Sequence, residues 1–167
     1  MSVFLILMDM VKYYSTSVVF EEIPDEVTLA IEITNCTGMC VGCHSPWLRD
    51  DIGEELTPEK LFELIDANKG ITCVCFMGEG KDPEALKWLA MDMRVKYPHI
   101  KTALYSGREE VEEELYLYFN YVKVGPYIPE KKALNFETTN QRLYEVVAHM
   151  DDGRVEKKDI TYKFWRK

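Results

Sequence analysis

Residues 28–43 read TLAIEITNCTGMCVGC: a run of β-favouring residues from Thr28 to Ile33 that leads straight into a loop bearing Cys36, Cys40 and Cys43. A short stretch rich in apolar and β-branched residues reads as a strand. Three thiols separated by three and then two residues can wrap a compact metal centre from one loop, and Gly38 and Gly42 give the backbone room to do so. The sequence therefore predicts a strand whose end carries chemistry.

Outward from this stretch, helix and strand patterns alternate. Leu56 to Asn68 reads as a helix, with Thr57 as N-cap, Pro58 at the first helical position, a stripe of Leu61, Phe62, Leu64 and Ile65, and Gly70 as the stop. Ile71 to Phe76 is continuously apolar or β-branched, the pattern of a parallel strand buried on both faces. Asp82 and Pro83 open a second helix through about Tyr97, with Leu86, Leu89, Ala90 and Met93 at helical spacing. Ile100 to Tyr105 reads as a strand, Glu109 to Tyr118 as an acidic helix and Tyr121 to Val124 as a further strand. After Pro129 the pattern changes: Arg142 to Met150 and Arg154 to Phe164 flank Asp151-Asp152-Gly153, a hairpin turn.

Alternating strands and helices predict an α/β fold with a parallel sheet. A closed eight-stranded barrel needs about 200 residues or more, and this chain has 167. The expectation is a single domain over residues 1–167 forming a partial, open (β/α) barrel of five or six units, with residues 142–167 appended as an antiparallel hairpin. Sites in parallel sheets lie at the C-terminal strand ends. The cysteine loop, taken to follow the first strand, and the Gly78-Glu79-Gly80 loop after the next are both expected on that rim.

Composition narrows the class. Apolar residues make up 47% and charged residues 29%, an ordinary globular balance without repeat, linker or low-complexity tract. The net charge of −9 leaves little material for a phosphate-binding stripe, which argues against nucleic acid. The longest apolar run, Val3 to Met8, falls far short of the roughly 20 residues a membrane span needs and lacks the basic leader of a signal peptide. A cytoplasmic protein is expected, with residues 1–9 read as an extension ahead of a start at Met10.

Five cysteines without an export signal point away from disulfides. Thiolates favour iron–sulfur clusters or zinc. A four-iron cluster ordinarily takes four thiolates, and no fourth cysteine is near in sequence, so one iron would be left for another ligand. The alternative is a Cys3His zinc site completed by His44, although adjacent Cys43 and His44 chelate one tetrahedral ion awkwardly. Cys73 and Cys75 fall on one side of a buried strand, where free cysteine is an ordinary small hydrophobe.

The C-x3-C-x2-C loop after a strand of an α/β chain resembles the signature of the radical S-adenosylmethionine superfamily. The resemblance implies a [4Fe-4S] cluster held by Cys36, Cys40 and Cys43, with the unique iron chelated by the amino and carboxylate groups of S-adenosylmethionine. It also implies electron transfer to the sulfonium and release of a 5′-deoxyadenosyl radical. Cys43-His44-Ser45-Pro46-Trp47, Val122-Lys123-Val124-Gly125-Pro126-Tyr127 and Thr138-Thr139-Asn140-Gln141-Arg142 are similar to segments of the activating proteins of anaerobic ribonucleoside-triphosphate reductases. The match is scattered over about Met10 to Val147. That family's Gly-Gly-acid loop appears here in altered order as Gly78-Glu79-Gly80.

By this resemblance Gly78 and Glu79 receive the methionine amino group, Gly42 and His44 lie beside the adenine, and Ser106 with Gly107 contacts the ribose. Trp47 would shield the cluster. The implied partner is the reductase, whose glycyl-radical loop brings its own lid to an open barrel. The implied electron donor is a one-electron reductant such as flavodoxin or ferredoxin. Arg142 could contact the partner or stand as an ordinary exposed arginine. Two other readings remain open: a small radical enzyme acting on a metabolite, and a structural metal-binding module.

Overall fold

The computed structural model describes residues 10–149 and 151–165. The expected extension over residues 1–9 and the strand end at Met150 lie outside the described residues. The elements in chain order are β1 (Lys12–Val19), β2 (Thr28–Ile33), β3 (Glu54–Glu55), α1 (Pro58–Ala67), β4 (Cys73–Met77), α2 (Pro83–Lys96), β5 (Lys101–Tyr105), β6 (Tyr121–Val124), β7 (Arg142–His149) and β8 (Arg154–Asp159). Short 3-10 turns cover Pro46–Arg49, Glu113–Tyr118 and Thr161–Trp165.

All eight strands join one open sheet in the order β3-β1-β2-β4-β5-β6-β7-β8. The centre, β2-β4-β5-β6, is parallel, while β1, β3, β7 and β8 add antiparallel flanks. The chain is thus mixed α/β. Four parallel strands and two α-helices stand among the described residues, fewer than the five or six units expected. The shortfall begins at Glu109–Tyr118: only Glu113–Tyr118 winds, and as a 3-10 turn. Glu109, Glu110, Glu112, Glu113 and Glu114 would place like charges three and four apart on an α-helix, each pair unfavourable.

The cysteine loop follows the second strand in the chain, because Lys12–Val19 is itself a strand that the helical and buried-strand patterns do not flag. Its sequence, KYYSTSVV, is half exposed, as suits a flank of the sheet. The C-terminal hairpin forms as expected, from His149 paired with Arg154 to Tyr144 paired with Asp159. Its second strand stops at Asp159, earlier than Phe164, where Asp159 Oδ1 accepts the Thr161 amide at 2.9 Å and turns the chain.

Both helices start where their caps place them. Thr57 Oγ1 accepts the Lys60 amide at 3.0 Å, and Asp82 Oδ1 accepts the Glu84 amide at 2.9 Å. Each such cap contributes about 1 kcal/mol. The main core lies between the helices and one face of the sheet. Leu29, Ile31, Val74, Phe76, Leu104 and Val122 meet Leu61, Ile65, Leu86 and Met93 there. Period-two alternation sends the neighbouring residues to the opposite face. Register places Glu32, Met77, Tyr105, Lys123 and Leu143 in one row across the C-terminal ends of the parallel strands. Ala30, Cys75, Ala103 and Tyr121 form the row beneath. Cys73 and Cys75 are fully buried in the smaller core on this face, with Ile23, Ala103, Leu143 and Ile160. No helix among the described residues is long and apolar enough to cross a membrane.

Candidate functional site

The cysteine loop leaves the C-terminal end of β2 and is fastened by hydrogen bonds within the chain. At its base the Asn35 amide donates to Asp50 O at 3.3 Å and the Cys36 amide to Leu48 O at 2.8 Å, closing the loop on the Pro46–Arg49 turn. Arg49 then reaches back: its Nε donates to Gly38 O at 3.0 Å and its Nη2 to Cys40 O at 3.1 Å. The Gly38 amide points to Cys36 Sγ at 3.4 Å. The Cys43 amide donates to Cys40 O at 3.3 Å, which brings the third cysteine onto the same turn.

Cys36 is exposed, and Cys40 and Cys43 are half-buried. A Cβ at Gly38 would lie 3.4 Å from Cys36 Sγ and 3.9 Å from Cys40 Sγ, so both sulfurs face the space that glycine leaves open. Two thiol donors face that space and Cys43 lies on the same turn, a set of three soft ligands whose donor chemistry fits an iron–sulfur cluster. Among the described residues no three His, Cys, Asp or Glu side chains converge closely enough to hold a single metal ion.

The Gly78-Glu79-Gly80 loop leaves the end of β4 on the same rim. Glu79 is buried, and its Oε2 takes Arg108 Nε at 2.9 Å. Its Oε1 is buried without any hydrogen-bond partner. A buried carboxylate oxygen left unmatched costs about 1–3 kcal/mol, more where the group is charged, and is the mark of a group awaiting a donor. Gly80 packs tightly, since a Cβ there would come within 3.1 Å of Ile33 Cγ2 and 3.2 Å of Thr34 O, next to the start of the cysteine loop.

Ser106 directly follows β5 and is fully buried; its Oγ accepts the Arg108 amide at 3.0 Å. Its side chain therefore shapes the turn that carries Glu79's ion-pair partner. Gly107, beside it, is exposed. Gly42 and His44 sit against the segment after β6: a Cβ at Gly42 would meet Pro129 Cγ at 3.3 Å, and the His44 ring lies 5.0 Å from Tyr127 at a 55° tilt. Trp47 is exposed on the 3-10 turn, and Arg142 lies 3.8 Å from Asp159.

Against the unhelical face of the sheet lies a cavity of about 910 Å³, lined by Met77, Tyr105, Lys123 and Gln141, by His44 from the cysteine loop, and by the carboxylate residues Glu21, Glu22 and Asp25 among others. Tyr105 donates its hydroxyl to Glu22 O. Lys123 donates from Nζ to Gly125 O at 2.9 Å and Ser106 O at 3.1 Å, and burial pulls its pKa down to about 8. Arg49, Arg108 and Lys123 went unassigned in sequence. The available signal was a lysine inside the apolar run Tyr121-Val122-Lys123-Val124, where a strand interior does not ordinarily hold a charge. No family model matches the chain, and the searches of curated proteins and of solved structures found no match.

Proposed function

We propose that this chain is a radical S-adenosylmethionine enzyme that installs a glycyl radical on an anaerobic ribonucleoside-triphosphate reductase. Cys36, Cys40 and Cys43 would hold a [4Fe-4S] cluster with one iron left to the substrate. The observation that carries the reading is the pairing on one sheet edge of a three-cysteine loop with Glu79, whose buried Oε1 lacks a donor. When bound, such a cluster supplies the single electron that splits the sulfonium and leaves a 5′-deoxyadenosyl radical to take the glycine hydrogen.

The chain's own residues do the rest. Glu79 Oε1 receives the methionine ammonium beside Gly78, and Arg108 holds the carboxylate by its other oxygen. Gly42 and His44 border the adenine, and Ser106 keeps Arg108 in place beside the ribose end. The open sheet, with helices on one face and the cavity on the other, is read as a partial (β/α) barrel whose unclosed side admits the reductase loop. A flavodoxin or ferredoxin in the cytoplasm would deliver the electron.

One feature favours a second reading, a radical enzyme acting on a metabolite: the inward-facing Lys123 and Gln141 give the cavity the polar groups a small substrate would need. The test begins with anaerobic reconstitution and counts of iron, sulfide and zinc. The protein is then incubated with reductant, S-adenosylmethionine and the reductase, and the reductase is examined for a glycyl-radical resonance signal. One zinc per chain in place of iron refutes both enzyme readings. Cofactor cleavage without a glycyl signal selects the metabolite.

A further inference from the structure

The two edges of the open sheet are finished differently. β8 forms one of them, and all its residues but Val155 are charged: Arg154, Glu156, Lys157, Lys158 and Asp159. Charges along an edge keep it from pairing with another strand. A second copy laid antiparallel on β8 about Glu156, Lys157 or Lys158 would set that residue against itself, like charge on like. The other edge is covered by β3, but β3 reaches only Lys12 and Tyr13 of β1. Past Tyr13 no strand among the described residues pairs with the outer side of β1.

That open stretch, residues 14–20, reads YSTSVVF and carries no charge. Unpaired N–H and C=O groups along such an edge are a template for another strand. The bulge in β1 lies between Tyr13 and Thr16, so Thr16 to Val19 keeps regular register with β2 and offers an unbroken run. Tyr14 and Phe20 flank that run at 53% and 69% exposed, with Val18 at 39% between them. Single exposed apolar side chains are ordinary on a surface. Here they gather on one unpaired edge.

We propose that the open stretch of β1 is a self-association edge, on which the same stretch of a second copy lies antiparallel about a two-fold axis at Ser17. The stretch is its own complement. Ser17 is its midpoint, so residues 14–20 of the two copies overlap fully. Thr16 then faces Val18 of the other copy, Ser15 faces Val19, and Tyr14 meets Phe20 at both ends, with no charge opposed to its like. Such a two-fold pairing consumes both open edges and leaves the charged β8 edges outside, so assembly stops at two copies. The inference does not rest on the function proposed above.

The experiment is sedimentation velocity on the full chain over a range of concentrations, kept reduced so that exposed Cys36 does not cross-link copies. Wild type should sediment as a concentration-dependent dimer. Ser17 is exposed, so Ser17→Lys should keep the wild-type melting temperature while two ammonium groups meet at the axis and weaken the dimer about fivefold or more. Ser17→Glu alone should do the same, and an equimolar mixture of the two variants should regain the dimer, because unlike charges then meet. Lys158→Glu, on the far edge, should leave association unchanged. A wild type that stays monomeric at every concentration overturns the proposal. So does a Ser17→Lys variant that dimerises as wild type does, which places the contact on another face, and so does a mixture that associates no better than its components.

Discussion

Replacing Lys123 with methionine should make the protein's stability depend on pH in a way that isolates one buried charge. Burial lowers the Lys123 pKa from 10.5 to about 8. In the unfolded chain the ammonium persists to about 10.5, so the folded state is penalised for the proton wherever both forms hold it. The penalty amounts to about 3 kcal/mol at pH 7, since each tenfold change in a protonation constant is worth about 1.4 kcal/mol. Above pH 8 the folded lysine sheds its proton while the unfolded one keeps it, and the penalty shrinks to about 1 kcal/mol by pH 10. Lys123→Met keeps the buried stem and loses the charge. It also frees the Ser106 and Gly125 carbonyls, an offset that does not vary with pH. Urea unfolding of both proteins at pH 7, 8, 9 and 10 should therefore show the variant's relative stability falling by about 2 kcal/mol across that range. A difference flat in pH refutes the claim that burial holds the Lys123 ammonium well below the usual lysine range.

Glu79→Gln should lower S-adenosylmethionine affinity at least tenfold by dialysis while leaving the iron count unchanged, because the orphan Oε1 loses its charge and not its place; equal affinity would remove Glu79 from the site. Gly38→Ala puts a methyl 3.4 Å from Cys36 Sγ, so the protein should fold as wild type yet retain less iron per chain after reconstitution. Cys40→Ala should abolish both iron uptake and cofactor cleavage, and retained cleavage would discard the ligand assignment. Gly125→Ala forces a side chain onto a backbone with φ 105° and a Cβ 2.9 Å from Gln141 Cα, and should cost about 2 kcal/mol or more in unfolding free energy.

The elements legible in sequence were those whose signals are local. Thr57-Pro58 and Asp82-Pro83 mark helix starts through side-chain caps, and the Cys73 to Phe76 run marks a strand buried on both faces; all three stand where expected. The acidic stretch from Glu109 misled because apolar spacing alone does not weigh repulsion between carboxylates one turn apart. β1 escaped because its threonines, serines and tyrosines alternate weakly at the sheet flank. The site divides the same way. Cysteine spacing is a sequence property, so the loop could be read directly, and the rim position of Glu79 followed from its place after a strand. Arg49, Arg108 and Lys123 act across gaps that only folding closes: Arg108 meets Glu79 from 29 positions away.

The fastening of the cysteine loop bears on how the proposed cluster would be taken up. The bonds from Asn35 to Asp50, from Cys36 to Leu48 and from Arg49 to two carbonyls are all made by the chain itself. Small metal domains that fold only around their ion spend much of its binding energy on ordering the polypeptide. If the chain holds the cluster proposed for it, these bonds would meet that ordering from the protein's side, so a cluster lost to oxygen would be reloaded onto a standing scaffold and damage would become a matter of repair rather than of resynthesis.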